Sequence, residues 1–326
     1  MKAIIHQDGG NADTLKIAEV DDLKPSPEQI LVKVKAAGLN RADIMQRDGK
    51  YPPPKGASKI LGLEISGEVV ELGSGVTKWK KGDLIFGLIP GGGYSEYAVI
   101  HEQMAMPIPK SLSLIEAAAI PEVFLTSYQA IIYYGKLKSS EMVLIHAGAS
   151  GVGTAAIQIA RELQAKIIVT ASEEKQETCI KLGAWKAINY KINDFTQEVL
   201  ALTNNDGVDL IIDFIGAPYL QKNIDILKMD GRLIMLSFLG GGKVENFDMR
   251  KIISKRLSII GSALRSRDLD YQIKLVNEFS LFALGKFNSG KLRPVVDKIF
   301  NWKEATSAHK YMEANKNTGK IVLEIE

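Results

Sequence analysis

Apolar and polar positions follow two rhythms along the chain. Up to about Pro121 the apolar residues come in short runs with β-branched side chains, such as Gln29–Val34, Glu64–Glu71 and Tyr94–Val99. Glycine-rich turn signals divide them at Gly73-Ser74-Gly75, Lys81-Gly82-Asp83 and Gly91-Gly92-Gly93. Such runs suit half-buried strands, and the breaks suit tight turns. The pattern predicts a compact barrel-like or sandwich domain of many short strands without long helices.

From Met142 the rhythm changes. Apolar strands are expected at Met142–Ala147, Lys166–Ala171, Ala187–Tyr190, Val208–Phe214, Arg232–Phe238 and Leu257–Ser262. Helical periodicity fills most of the intervals, beginning with Thr154–Gln164 and Glu174–Leu182. Strands that are apolar throughout, alternating with helices, imply a parallel sheet covered on both faces. Six of them match a doubly wound dinucleotide fold. After about Arg265 come a long helical pattern at Tyr271–Leu284, a strand at Val295–Phe300, a helix at Glu304–Glu313 and a strand at Lys320–Glu324. The last strand is expected to return to the sheet of the first section. The fold class is thus α/β, with a doubly wound Rossmann domain and a β-rich second domain.

Composition adds constraints. The chain has 326 residues, of which 46% are hydrophobic and 24% charged, so it can bury a full core and is not a disordered polymer. Its single cysteine, Cys179, rules out an internal disulfide and a cysteine-rich zinc cluster, and a reducing, cytoplasmic compartment is the expectation. Forty-one basic residues against 38 acidic leave a net charge of +3, too balanced to make nucleic acid the main partner. The N-terminal residues show no signal-peptide pattern. The uncharged stretch Met142–Ala160 is interrupted by Gly148, Ser150, Gly151, Gly153, Thr154 and Gln158. It reads as a buried strand, a turn and a helix face, and no membrane association is expected.

The strongest chemical signal is His146-Ala147-Gly148-Ala149-Ser150-Gly151-Val152-Gly153, placed between an apolar strand and a helix. A dinucleotide-binding turn wants glycine at its first, third and sixth positions. Gly148 and Gly153 fill the first and sixth, whereas Ser150 takes the third and Gly151 follows. Amides at the helix start, from Gly151 and Val152 onward, would face a pyrophosphate. The Ser150 hydroxyl is placed either to bond the cofactor or to crowd it. The next strand ends in Ser172, with Glu173, Glu174 and Lys175 behind it. An NAD-binding chain wants a carboxylate at that strand end, whereas a hydroxyl and a cation suit the 2′-phosphate of NADP(H). The competing reading is a solvated, acidic helix start. In a doubly wound sheet the carboxyl ends of the strands line the ligand crevice. That places Ile215, Phe238, Leu239, Gly240 and Leu264 among the cofactor-side candidates, with Phe238 and Leu239 flanking the nicotinamide.

Five stretches carry a family resemblance: Gly38-Leu39-Asn40-Arg41-Ala42-Asp43, Leu61-Gly62-Leu63-Glu64-Ile65-Ser66-Gly67, Gly82-Asp83, Tyr94-Ser95-Glu96-Tyr97 and the 146–153 turn. On these the whole chain resembles the zinc-independent quinone oxidoreductase (zeta-crystallin-like) branch of the medium-chain dehydrogenase/reductase superfamily. Residues 262–268 and 309–317 look closest to its tumour-suppressor-inducible subgroup. The resemblance implies a GroES-like catalytic domain over 1–121 and 266–326 and a Rossmann NADP-binding domain over 122–265. It further implies NADPH in the interdomain cleft and a homodimer through Rossmann edge strands, of which Leu257–Ser262 is a candidate. Zinc-dependent relatives carry ligands where this chain has Asn40 and Leu63. Leucine cannot ligate and asparagine is a poor zinc ligand, so no catalytic metal is expected. Without a Lewis acid, oxidation of a plain alcohol is hard, but quinones and conjugated carbonyls accept hydride directly.

By the same resemblance, Asn40 lies beside the nicotinamide, with a loop-capping asparagine as the competing reading. Tyr51, in the stiff loop Gly49-Lys50-Tyr51-Pro52-Pro53-Pro54, is placed to stack on a quinone or donate to its oxygen, or else packs on the prolines. Thr126 and Gln129 belong to a region near the nicotinamide amide, although Thr126 reads equally as a helix cap. Tyr190 lies near the ribose phosphate or is a core residue at a strand end, and Asn317 and Lys320 match C-terminal cofactor contacts. Cys179 and His146 read as packing residues. The function expected is NADPH-dependent, zinc-independent reduction of a quinone. The alternatives are reduction of enone or alkenal double bonds, and an NADPH-binding sensor or RNA-binding protein with little turnover.

Overall fold

The computed structural model describes residues 1–326 and divides into two compact units, Met1–Leu125 with Arg265–Glu326, and Thr126–Leu264. In the first unit β1 (Lys2–Ile5) and β2 (Lys16–Glu19) form an antiparallel pair. Strands β3 (Gln29–Leu39), β4 (Glu64–Leu72), β5 (Leu84–Leu88), β6 (Tyr97–His101) and β7 (Ala105–Pro107) follow. The second unit holds β8 (Met142–Ile145), β9 (Lys166–Thr170), β10 (Lys186–Ile188), β11 (Val208–Asp213), β12 (Leu227–Met235) and β13 (Ser258–Gly261). Strands β14 (Val296–Asn301) and β15 (Lys320–Glu324) rejoin the first unit.

The first unit's large sheet runs β14-β15-β3-β4-β5-β7, with β6 also on β3. The C-terminal strand β15 lies antiparallel to β3, pairing Ile321 with Leu39 and Leu323 with Ala37. This pairing brings Lys320 next to the end of β3, although 280 positions separate it from Asn40. Two register shifts between β3 and β4 bend the sheet, as bulges do in barrel-like domains. The rings of Phe124, Phe279 and Phe287 pack together, with the centroids of Phe124 and Phe287 5.1 Å apart in an edge-to-face arrangement.

The second unit is a six-stranded parallel sheet in the order β10-β9-β8-β11-β12-β13. The order reverses direction between β8 and β11, the switch point where doubly wound sheets open a crevice. Its core gathers Leu144, Ile168, Ile188, Ile211, Ile224 and Leu233. Strands buried on both faces have no polar face to show, which is why they read as apolar runs. No helix is long and apolar enough to cross a membrane.

Several boundaries differ from expectation. The strand expected at Tyr94 begins at Tyr97, because Tyr94 and Ser95 turn inward and the Tyr94 amide bonds to Leu61 O at 2.9 Å. The helix expected from Thr154 begins at Gly151, capped by Ser150. The fifth strand of this sheet starts at Leu227 and stops at Met235, leaving Phe238 in the following loop. Thr126 caps nothing: it lies inside the helix Pro121–Tyr128, which runs on into a π-helical segment, Gln129–Tyr134.

Candidate active site

In the second unit, the turn after β8 is shaped by two close approaches. A Cβ on Gly148 would fall 2.6 Å from Val169 Cβ, so only glycine lets the turn lie on β9. A Cβ on Gly153 would fall 2.6 Å from Gly148 O, so the helix start likewise tolerates only glycine there. Ser150 is the N-cap of the helix Gly151–Glu162, and its Oγ accepts the Gly153 N–H at 3.0 Å. This explains the serine at the turn's third position: its hydroxyl closes the helix start. The amides of Gly151 and Val152 receive no such bond, leaving donors at the positive end of a twelve-residue helix. Ser127 donates to Val152 O at 2.9 Å and holds the turn from behind.

Around this turn the structure gathers several of the expected cofactor residues. Ser172, at the end of β9, is buried and donates its hydroxyl to Glu174 Oε1 at 2.7 Å. That bond holds the Glu174 carboxyl below its usual range. Lys191 Nζ lies 3.9 Å from the same carboxylate, and Lys175 is half-buried one residue further along the helix. The strand end therefore carries a carboxylate as well as cations, and Lys191 is the member that the sequence did not suggest. Tyr190 is exposed just after β10. Ile215 N–H donates to Asp213 Oδ1 at 2.7 Å, and Gly240 N–H to Ile215 O at 2.9 Å, so the loops after β11 and β12 are tied together. Burial pushes the Asp213 carboxyl up to about 6. Phe238 and Leu239, 61% and 55% exposed, stand out as large apolar groups beside this loop pair. Leu264 is buried. Gln129 Oε1 accepts from Ser262 Oγ at 2.9 Å. His146 is a core histidine: its ring nitrogens meet Thr170 Oγ1 at 3.1 Å and Asn223 Oδ1 at 2.8 Å, and burial pushes it down to about 4. Cys179 is fully buried, which pushes its thiol up to about 11.

The first unit holds a buried network of charges. Lys320 Nζ reaches Leu39 O at 2.8 Å, Asn40 Oδ1 at 2.6 Å and Glu64 Oε1 at 2.6 Å. Asn40 Nδ2 donates to Glu64 Oε1 at 2.9 Å. Glu64 Oε2 accepts the Glu122 N–H at 2.8 Å. Glu64 is fully buried, and Asn40 and Lys320 nearly so. Gly38 makes room for this carboxylate on β3, since a Cβ there would overlap Glu64. The Asn40 amide is thus engaged at both ends inside the protein. Lys320, expected as a cofactor contact, has its ammonium turned inward to neutralise Glu64. Asn317, the other C-terminal candidate, donates to Gly319 O at 2.8 Å.

Asn40 also starts the helix Arg41–Arg47. Its backbone N–H donates to Asp43 Oδ2 at 2.8 Å, and Asp43 Oδ1 accepts from Gly62 N–H at 2.9 Å. The Tyr94 hydroxyl also donates to Asp43 Oδ2, at 3.3 Å. Burial pushes Asp43 up to about 6 despite these bonds. One turn further on, Gln46 Oε1 accepts from Arg265 Nη2 at 2.7 Å. The Arg265 guanidinium lies 5.3 Å from the centre of the Tyr51 ring. Tyr51 is half-buried, and its phenol is pushed up by burial and by the Glu122 carboxylate. Glu122 is itself pushed up to about 7 by burial and then by Glu64.

Asn40 and Tyr51 therefore belong to one polar cluster, joined by Glu64, Glu122, Asp43, Gln46 and Arg265. The sequence offered Glu64 only as part of a motif and Arg265 as a residue after the sixth strand, in a place similar to the nicotinamide-flanking Phe238 and Leu239; Glu122 and Gln46 were not foreseen. A buried carboxylate next to a motif asparagine carries no periodic signal. The one available hint was the presence of Glu122 and Lys320 in otherwise apolar surroundings.

Residues 26–110 match the alcohol dehydrogenase GroES-like domain, and residues 151–279 match the zinc-binding dehydrogenase family. The chain is 30% identical over 313 residues to the synaptic vesicle membrane protein VAT-1 homolog of Mus musculus, covering 92% of this chain and 77% of that one. The structure of Escherichia coli quinone oxidoreductase complexed with NADPH aligns with a TM-score of 0.89 at 28% identity, over 99% of this chain and 100% of that one. The CurK enoyl reductase aligns with a TM-score of 0.87 at 28% identity, over 100% and 99%. With a GroES-like first unit and a Rossmann-like second unit, the chain belongs to the medium-chain dehydrogenase/reductase superfamily of oxidoreductases.

Proposed function

We propose that this protein is an NADPH-dependent quinone oxidoreductase that works without zinc. The observation that carries the reading is the turn at 148–153, where glycine is required at both close approaches and the Gly151 and Val152 amides are left for an anion. Those amides would hold the pyrophosphate. Ser172, Lys175 and Tyr190 would take the 2′-phosphate, with Lys191 offsetting the Glu174 carboxylate. Phe238, Leu239 and Gly240 would flank the nicotinamide ring, with Thr126, Ile215, Leu264 and Asn317 as outer contacts. The nicotinamide, when bound in its reduced form, supplies a hydride.

The acceptor follows from the residues that stand where zinc-dependent relatives carry ligands. Asn40 is engaged with Glu64 and Lys320, and Leu63 is a buried apolar side chain. Neither offers a Lewis-acid site, so the acceptor must already be electrophilic. The chain's contribution is then to bind and orient, and proximity accounts for most of the acceleration. Similarity to a quinone oxidoreductase crystallised with NADPH supports this choice. Likeness to an enoyl reductase favours conjugated double bonds as the second reading, with Tyr51 as proton donor.

The exposed edge of β13 is the strand through which two copies would pair. Light scattering coupled to size exclusion should return twice the chain mass, and a monomer would remove the dimer.

The acceptor is tested by following NADPH absorbance with ortho-quinones, para-quinones and short enones in parallel. Rapid loss with quinones alone is expected. Preference for enones would transfer the assignment to double-bond reduction.

A further inference from the structure

Arg265 is 8% exposed, and two of its three guanidinium nitrogens are tied down. Nε donates to Pro90 O at 3.0 Å, and Nη2 donates to Pro90 O at 2.6 Å and to Gln46 Oε1 at 2.7 Å. These bonds fix the plane of the group. Nη1 is buried with no hydrogen-bond partner. A buried charged donor without a partner is costly, and one kept in place by three bonds points to a ligand that completes it. Arg265 lines a cavity of about 10 Å³ whose walls include Leu63, Leu88, Ile89 and Pro90. That is room for a single oxygen-sized group, with no space for a ring. Glu122 lines the same cavity. The Tyr51 ring, 5.3 Å from the guanidinium, offers a flat face beside it.

We propose that Arg265 and Glu122 form the acceptor-oxygen site of this reductase: Arg265 binds the carbonyl oxygen through Nη1, and Glu122 gives that oxygen its proton. The proposal rests on the quinone-reductase reading above. Hydride addition to the acceptor leaves an electron pair on its oxygen. An O–H bond forms there as the O–H bond of the Glu122 carboxyl breaks, and the carboxylate is reprotonated from solvent. Four charged groups act on Glu122 besides the phenol of Tyr51: Glu64 and Asp43 favour its protonated form, and Lys320 and Arg265 favour its ionised form. With burial added, the carboxyl is held up to about 7, so it carries a proton at mildly acidic pH and loses it above neutrality.

The test uses the full chain and compares wild type with Glu122→Gln and Arg265→Lys, each checked by thermal melting. Wild-type kcat for an ortho-quinone should fall as pH rises through about 7. Glu122→Gln should lower kcat at pH 6 at least ten-fold and flatten that profile, with NADPH affinity by fluorescence titration unchanged. Arg265→Lys should raise the quinone KM at least ten-fold, again at unchanged NADPH affinity. A Glu122→Gln enzyme that keeps the wild-type profile, or an Arg265→Lys enzyme that keeps the wild-type KM, overturns the site. A wild type inert toward quinones defeats the earlier reading instead. The site is then judged by calorimetric titration with 2-hydroxy-1,4-naphthoquinone: ten-fold weaker binding to Arg265→Lys supports it, and equal binding overturns it.

Discussion

The turn after β8 and the charges around Glu64 are two polar sites built by opposite means. The turn uses backbone. Its donors are amides, its shape comes from Gly148 and Gly153, and its one polar side chain, Ser150, is turned back to cap the helix. The first unit uses side chains. Lys320 and Glu64 come from β15 and β4, Asn40, Asp43 and Gln46 from the start and body of one helix, and Glu122 and Arg265 from two further segments, and each depends on the next for its orientation. A backbone site is local and tolerates no added atoms. A side-chain network is non-local and tolerates no lost charge. The turn after β8 is therefore a steric device, and the charge network of the first unit is an electrostatic one.

The largest effect should come from removing a charge in the first unit. Lys320→Met leaves Glu64 buried without its cation, and breaking such a pair costs about 3–5 kcal/mol. Urea unfolding should show this loss, and the double change Lys320→Met with Glu64→Gln should recover part of it. No recovery would mean that the network is not the unit described here.

Adding atoms to the turn comes next. Gly153→Ala puts a Cβ against the carbonyls of Ala147 and Gly148, an overpacking cost of about 1–3 kcal/mol. NADPH affinity should fall more than ten-fold in a fluorescence titration. Retained affinity would separate the turn from the cofactor.

Each unit also buries one neutral histidine, and these respond to acid alike. His146 is held down to about 4 by burial, and His309 to about 3 by burial and then by Arg47. A depressed histidine binds its proton in the unfolded chain first, so its contribution is present above about pH 6.5 and is lost as pH falls toward the folded value. For His146 the full loss is about 3 kcal/mol. Asp43 and Asp213, both held up to about 6, act in the opposite sense, gaining stability as pH falls through that value. The informative quantity is accordingly a difference. The change in Tm from pH 4 to 6.5 should be less positive in His146→Gln than in wild type, and an unchanged difference would mean that His146 is protonated in the fold.

The smallest effect concerns the exposed Glu174. Removing its charge frees the Ser172 hydroxyl and takes away a negative charge beside the group proposed to meet the 2′-phosphate. Glu174→Gln should favour NADPH over NADH by a few-fold in KM ratio, and a shift toward NADH would reassign that strand end.

These two regions also explain what sequence can and cannot convey. The parallel sheet announces itself because buried strands are apolar runs and the turn's glycines sit at fixed spacing. The return of the last strand to the first unit's sheet was also legible, because the final run is apolar and short, whereas its partner β3 was not. The charge network was not. Lys320 and Glu64 meet only through β15–β3–β4 pairing, and nothing in the spacing of Asn40, Glu122 and Arg265 encodes their proximity. The hydroxyls of Ser150 and Ser172 carry bonds that spacing does not show: Ser150 accepts the Gly153 amide of its own helix start, and Ser172 donates to Glu174. Thr126 does not cap its helix because the helix already starts at Pro121.

The most direct test of the account takes one purified sample, titrates NADPH and NADH by nicotinamide fluorescence, and then adds an ortho-quinone to the loaded protein. The account predicts tighter binding of NADPH and its oxidation on mixing, with a rate that saturates in quinone. Equal or tighter binding of NADH would contradict the assignment of Ser172 and Lys175, and NADPH that stays bound and unoxidised would contradict the account as a whole.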